Sequence, residues 1–480
     1  MSSDRSPRFD ELLQKISEYV YSDRKFSDEA YATARLCLLD SVGCALLAST
    51  FAACRRLLGP IVPGAELMGR GARVIGTGFE LDPVQAAFNI GSLIRWLDFN
   101  DTWLAAEWGH PSDNLGALIA VADFVGRAKP WKSSKSWTVF DLLHATVQAH
   151  EIQGVLALTN SFNQVGLDHV LLVRIASTAV SARLLGCTRQ QTANALSNAF
   201  IDGGALRVYR HAPNTGSRKS WAAGDAAARG VWHALIASRG EMGYRSALSV
   251  PTWGFETVTN RGRAVTLSQP FGSYVMENVL FKIAFPAEFH AQTAVEAAFA
   301  LAPQIQNRWS EIARIIIETQ EGAKRIIDKE GPLRNPADRD HCIQYMVAIG
   351  LLKGTLTAAD YEPAAAADPR IDWLRQKIHV VENHTFSKDY LDPQKRAVPN
   401  SVQIFFQDGS QTERIQVDFP VGHRRRRTEG VPLLLEKFRH NVASVFSGKS
   451  AAKIMHWAKD EAALLPLTVN EFVSGLVKAR

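Results

Sequence analysis

Residues 36–48, LCLLDSVGCALLA, are apolar on nearly every face of a helix. A helix without a polar face has to be enclosed by others, so this segment demands a core several helices thick. Ser27 and Asp28 supply an N-cap for it, and the pattern runs on through Tyr31, Ala34, Leu38 and Val42. Residues 170–185 form a second long apolar helix, stopped by Gly186, and residues 191–200 follow the same pattern. Ala222, Ala223, Ala226, Ala227 and Ala228 allow close helix packing. Residues 1–275 are therefore expected to be mostly helical.

The pattern changes after Tyr274. Residues 312–319 are rich in isoleucine, and residues 378–381 in β-branched side chains. Residues 402–406 and 414–419 flank Asp408-Gly409, a strong hairpin signal. A helix is expected at 291–302, and residues 356–370, with Pro363 and Pro369, read as a connector. Helical periodicity returns after Arg427 through Leu433, Leu434, Phe438, Val442 and Val445. The expected fold is mostly α: a large helical domain built from residues 1–275 and 427–480, with a smaller α+β lid, residues 276–426, inserted between them.

The 480 residues carry a net charge of +6. Part of that excess is the run Arg424 to Arg427, and the rest is scattered. No basic stripe interleaved with aromatics and no zinc-finger or helix-turn-helix signature accompanies it, which argues against nucleic acid. A positive cleft for a substrate with several carboxylates accounts for the excess better. The five cysteines form no CxxC pair and their number is odd, a pattern that fits a reducing compartment. Asp4, Asp10 and Glu11 argue against a transit peptide, and no uninterrupted apolar run has the length of a membrane span. A cytoplasmic protein with no membrane partner is the expectation.

Standard catalytic motifs are missing. There is no Walker A loop and no GxSxG elbow, and Val74 stands where Gly69 and Gly71 would need a third glycine. His150-Glu151 begins like HExxH but position 154 is Gly, so a zinc helix fails. Polar density is high instead in four segments: 95–114, which carries Arg95, Asp98, Asp101, Thr102, Glu107 and His110; 163–169, with Asp168 and His169; 207–221, with Arg207, Arg210, Arg218 and Lys219; and 282–290, with Lys282, Glu288 and His290. Acids, imidazoles and cations mixed in this way suit general acid–base work on an anion.

The strings RWLDFNDTWLAAEWGHPSDNLGALIAVADF, NSFNQVGLDHVLLVRIASTAV, RVYRHAPNTGSRKSWAAGD, GSYVMENVLFKIAFPAEFHAQTAVEAA and GPLRNPADRDHCIQYMVAIGLL occur in this order. In them the chain closely resembles the 2-methylcitrate dehydratases of the MmgE/PrpD family, from about residue 10 onward. The resemblance implies a helical domain with an α+β lid, a homodimer, and a reaction without metal, iron–sulfur cluster or other cofactor. By similarity to related cis-aconitate decarboxylases, Asp98, Thr102, His110, His169, Lys219, His290 and Tyr345 fall at pocket positions. The implied reaction is loss of water from a 2-alkylcitrate, most simply 2-methylcitrate. Asp98, His110 and His169 are then the acid–base candidates, with the base unassigned among them. Lys219, Arg210 and His290 form the carboxylate clamp, and Thr102 and Tyr345 are further substrate contacts. Structural roles compete with several of these: Asp98 as the partner of Arg95, His110-Pro111 as the end of a loop with Ser112 capping the next helix, His169 as a helix cap, and Tyr345 as core.

One departure bears on substrate. Family members of propionate catabolism read close to DGQSLRTYRHAPNTG, whereas this chain has Gly204, Ala205 and Val208 in place of two polar residues and a threonine. The added room raises a longer-chain alkylcitrate dehydratase of specialised metabolism as an alternative. A cis-aconitate decarboxylase and a non-catalytic tricarboxylate-binding paralogue are the others.

Overall fold

The computed structural model describes residues 9–128, 136–211, 213–392 and 394–478. Residues 1–8, part of the stretch read against a transit peptide, lie outside them, as does Ala212. Most of the described chain is helical, with one small sheet and one short ribbon.

The enclosed helix spans Asp28–Ala48, and the Ser27 hydroxyl accepts from the amide of Ala30 at 3.1 Å. Its length and mean hydropathy reach those of a membrane span, although Arg35 and Asp40 interrupt its apolar run, and most of it is buried inside the protein. Asp40 at its centre pairs with Lys437, whose Nζ lies 2.6 Å from Oδ1. Lys437 belongs to the helix Arg427–Ala443, whose Phe438 and Asn441 pack onto Gly43. A buried carboxylate needs such a partner, so the returning C-terminal helix completes the N-terminal core.

Three helices crossing at glycines set up the site. A Cβ on Gly91, in Pro83–Arg95, would sit 2.8 Å from Cα of Gly224 in Arg218–Ser238, and one on Gly116, in Leu115–Arg127, 2.7 Å from Cα of Gly91. Only glycine allows that approach. It brings the C-terminal end of Pro83–Arg95 beside the first turn of Arg218–Ser238, where Ser220 Oγ donates to the carbonyl of Trp96 at 3.1 Å. The N-terminal part is not wholly helical: Ala72–Arg73 and Glu80–Leu81 form a ribbon that periodicity over two residues cannot reveal.

The sheet has Ile378–Glu382 parallel to Ile312–Thr319, which is antiparallel to Asn400–Phe406, followed by Ile415–Val417. Gly409 turns the hairpin with φ +83°, a conformation glycine adopts freely. The helices Gln292–Ile305 and Ile343–Lys353 supply buried residues to the same core, and the connector coils into short turns, Ala358–Tyr361 and Pro363–Ala366. Buried apolar residues divide into two main clusters. One draws on residues 9–283 and 421–476, the other on residues 285–406.

Candidate active site

Residues from both clusters' segments line a cavity of about 150 Å³. Arg95, Asp98, Thr102, His110, His169, Arg207 and Arg210 come from the helical part, and Glu288, Arg325 and His341 from the other. Lys282 stands at the junction. The lining holds five permanent cations, Arg95, Arg207, Arg210, Lys282 and Arg325, against two carboxylates, Asp98 and Glu288. That excess is built for a polyanion.

Asp98 follows the helix end in a left-handed turn, φ +50°. Its carboxylate accepts from Lys282 and lies 2.6 Å from Nη1 of Arg95, with Lys219 at 3.9 Å and His110 at 3.8 Å. Burial pushes the carboxyl up, but Arg95, Lys282, His110 and Lys219 outweigh it and hold it well below the usual range. The pairing of Asp98 with Arg95 therefore exists, and so does its place in the cavity. As a firmly ionised carboxylate it has no proton to give and little tendency to take one.

His110 donates from Nδ1 to the carbonyl of Asp101 at 2.6 Å and accepts at Nε2 from Arg95 at 2.9 Å. The ring is a neutral tautomer with both nitrogens engaged. Burial, reinforced by Arg95 and Lys282, holds it well below the usual imidazole range. Behind it, Asp101 accepts from the amide and hydroxyl of Ser112 and lies 2.9 Å from Nε2 of His150. Thr102 lines the cavity next to His110, its Oγ1 3.4 Å from Nδ1.

His169 differs. It occupies the N-cap position of Val170–Leu184 but makes no capping bond, and neither ring nitrogen has a hydrogen-bond partner. The ring is buried, faces the cavity and meets His110 edge-on at 5.7 Å between centroids. Burial leads in depressing its proton affinity well below the usual value; Asp168 opposes this, and Arg210, Arg207 and Arg95 add to it. A buried polar ring left unpaired is costly unless something else is meant to use it.

The clamp differs from its sequence reading. Arg210 lines the cavity but is held by Asp168 through both Nε and Nη2, the latter at 3.1 Å from Oδ1. Lys219 is fully buried behind the lining, donating to Oδ2 of Asp340 at 2.7 Å and lying 3.0 Å from Nδ1 of His341. His290 is turned away: Glu288 binds Nδ1 at 2.8 Å and the Tyr390 hydroxyl sits 3.0 Å from Nε2, so neither nitrogen is free for a carboxylate. Its neighbour Glu288 takes the cavity wall instead, held at about 2 because His290 outweighs the effect of burial. Tyr345 is a core residue, its hydroxyl donating to the carbonyl of Asp360 at 2.6 Å and its ring stacked on Tyr361. Gly204 and Ala205 line a separate pocket with Arg174 and Arg229, and Val208 is exposed, so the extra room they create lies outside this cavity.

Residues the sequence reading passed over are Arg325, Asp340 and His341. Asp340-His341 stands inside a string that carries the family resemblance, and an acid–imidazole pair there was the available signal. Nothing local marks Arg325.

A mostly helical fold with a second, sheet-bearing core and a cation-lined acid–base cavity between their segments defines the class of protein. The MmgE/PrpD N-terminal domain matches residues 11–268 and the MmgE/PrpD C-terminal domain residues 285–461. The chain belongs to the MmgE/PrpD family. It is 56% identical to 2-methylcitrate dehydratase of Escherichia coli (strain K12), over 97% of each chain, and 56% identical to 2-methylcitrate dehydratase of Cupriavidus necator, over 98% of each. A mitochondrial 2-methylcitrate dehydratase of Yarrowia lipolytica is 52% identical over the whole chain and 92% of its own length.

Proposed function

We propose that this chain is a hydro-lyase that removes water from 2-methylcitrate to give 2-methyl-cis-aconitate. The observation that carries the reading is a buried imidazole, His169, whose nitrogens make no hydrogen bond within the protein, on the wall of a cavity lined by five cations. The relatives' activity, at 50–56% identity over nearly the full chain for the bacterial and yeast proteins, supports it.

In this reading His169 is the base. It takes the proton from the carbon next to a carboxylate, and the electron pair of that C–H bond becomes the new C=C as the C–O bond breaks. Hydroxide leaves as water with a proton that the His169 imidazolium returns. Lys282 and Arg95 stabilise the negative charge that builds on the carboxylate beside the proton-losing carbon. Arg207, Arg210 and Arg325 hold the remaining carboxylates. Asp98 and His110 fix the directions of Arg95 and Lys282, and Lys219 and Asp340 hold the second core's segment against the first. The assignment of residues 276–426 as a lid, association into a homodimer and a cytoplasmic location complete the proposal. Exposed apolar side chains such as Ile201, Met242, Trp253 and Val258 support self-association.

The test is turnover of citrate and 2-methylcitrate followed by the enoate absorbance. Formation of 2-methyl-cis-aconitate at a higher kcat/KM than cis-aconitate is expected. A rate no greater than the uncatalysed reaction would remove the proposal.

A further inference from the structure

One stretch of the cavity wall has no use in recognising carboxylates. Leu104, Trp108 and Phe289 pack into one small apolar cluster with Leu280, Val398 and Tyr390, and all three line the cavity. Ile326, from the helix Glu321–Ile327, lines it too. Two guanidinium groups lie over the Trp108 ring, Arg207 at 5.6 Å from its centroid and Arg325 at 5.5 Å. Leu104 is fixed through its carbonyl, which accepts from Arg396. The apolar wall is therefore anchored to the arginines rather than a loose surface.

Citrate offers three carboxylates, a hydroxyl and two methylenes, none of which gains from an apolar wall at the expense of a cation. A 2-alkyl substituent does gain. Resting on the proposed dehydratase reading, we infer that Leu104, Trp108, Phe289 and Ile326 form the subsite for the 2-alkyl group and set the chain length that the enzyme accepts. Leu104 and Phe289 reach the cavity from one apolar cluster and Ile326 from the second core, so the subsite draws on both.

The experiment is a series of citrate, 2-methyl-, 2-ethyl- and 2-propylcitrate, compared by kcat/KM in wild type, Leu104→Ala, Ile326→Ala and Leu104→Phe. Each methylene that finds a dry contact favours its substrate about fourfold. Leu104→Ala and Ile326→Ala are expected to raise the ethyl-to-methyl ratio by about that factor or more, and Leu104→Phe to lower the methyl-to-citrate ratio. Two sites are used because a defect in folding lowers every substrate together and leaves the ratios alone. Wild-type ratios in all three variants would overturn the subsite while leaving the dehydratase reading intact. A wild-type protein inactive on every alkylcitrate would overturn both.

Discussion

Oδ2 of Asp340 lies 2.7 Å from Nζ of Lys219, joining the second core's segment to the first turn of Arg218–Ser238. Both charges are buried, and His341 completes the group. Breaking such a pair by removing one partner strands the other charge, at a cost of about 3–5 kcal/mol. Asp340→Ala should therefore lower the denaturation midpoint strongly. The double variant Lys219→Met, Asp340→Leu should recover much of that loss while remaining inactive, because His341 loses its orientation. Equal stability of the two proteins in chemical denaturation would show that the pair is not the seam argued for.

His169 and His110 should differ in what their loss does to stability. His169 holds nothing in place, so His169→Asn should lower kcat by about two to four orders of magnitude with little change in thermal midpoint. His110 ties Arg95 to the Asp101 carbonyl, so His110→Ala should lose both turnover and stability. Asp98→Asn should behave like His110→Ala, since it leaves Arg95 and Lys282 facing each other.

The same histidines fix a pH dependence. Burial keeps His169 and His110 deprotonated below the ordinary imidazole value of about 6.5. The acid limb of kcat/KM should then lie below pH 6.5. In the unfolded chain these rings take up protons at a higher pH than in the fold, so the part of the stability that these two rings govern falls as pH drops below about 6.5. An acid limb at or above 6.5 would assign the base to another group.

Local signals in the sequence carried most of the architecture. Ser27 capping Asp28–Ala48 and Gly409 turning the hairpin are decided within a few residues. The site was only half legible, because its decisive contacts are distant along the chain. Lys219 reads as a clamp until Asp340, 121 residues away, is found on its ammonium. His290 reads as a ligand until Tyr390, 100 residues on, occupies Nε2. Tyr345 sits among Ile343, Met346 and Val347 on a helix with no polar face, a core signal that outweighed the resemblance. Gly204, Ala205 and Val208 adjoin Arg207 and Arg210 in sequence but not in the cavity, since the turn Arg207–Arg210 sends neighbouring side chains to different sides.

Chelation should leave activity unchanged. Asp98, Asp340 and His341 bring ligand-type atoms within reach of one another, but the ammonium groups of Lys282 and Lys219 already engage the carboxylates. A divalent ion would have to displace two buried cations to bind there. Dialysis against a strong chelator, followed by the enoate assay, checks this; loss of turnover restored by one added metal would refute it.

The C-terminal helix gives the last prediction. Asp40 is buried at the centre of Asp28–Ala48, and Lys437 is the cation on it, also donating to the carbonyls of Phe99 and Lys282 at 2.7 Å. Burial raises the Asp40 carboxyl to about 6 even against the pull of Lys437. Its ordinary value is about 3.9, so between these values the folded state holds a proton that the unfolded chain has lost, and the contribution of Asp40 to stability falls as pH rises through that window, opposite in sign to that of the two histidines. Lys437→Met removes the opposing charge, raises the carboxyl further and carries the loss on toward neutral pH. The difference in thermal midpoint between wild type and Lys437→Met should therefore be larger at pH 8 than at pH 5. A fragment ending near residue 275 lacks Lys437, Phe438 and the whole returning helix, leaving Asp40 and Gly43 uncovered, and should not unfold cooperatively. A constant difference between the two pH values, or a stable 1–275 fragment, would mean that the core does not depend on the returning helix.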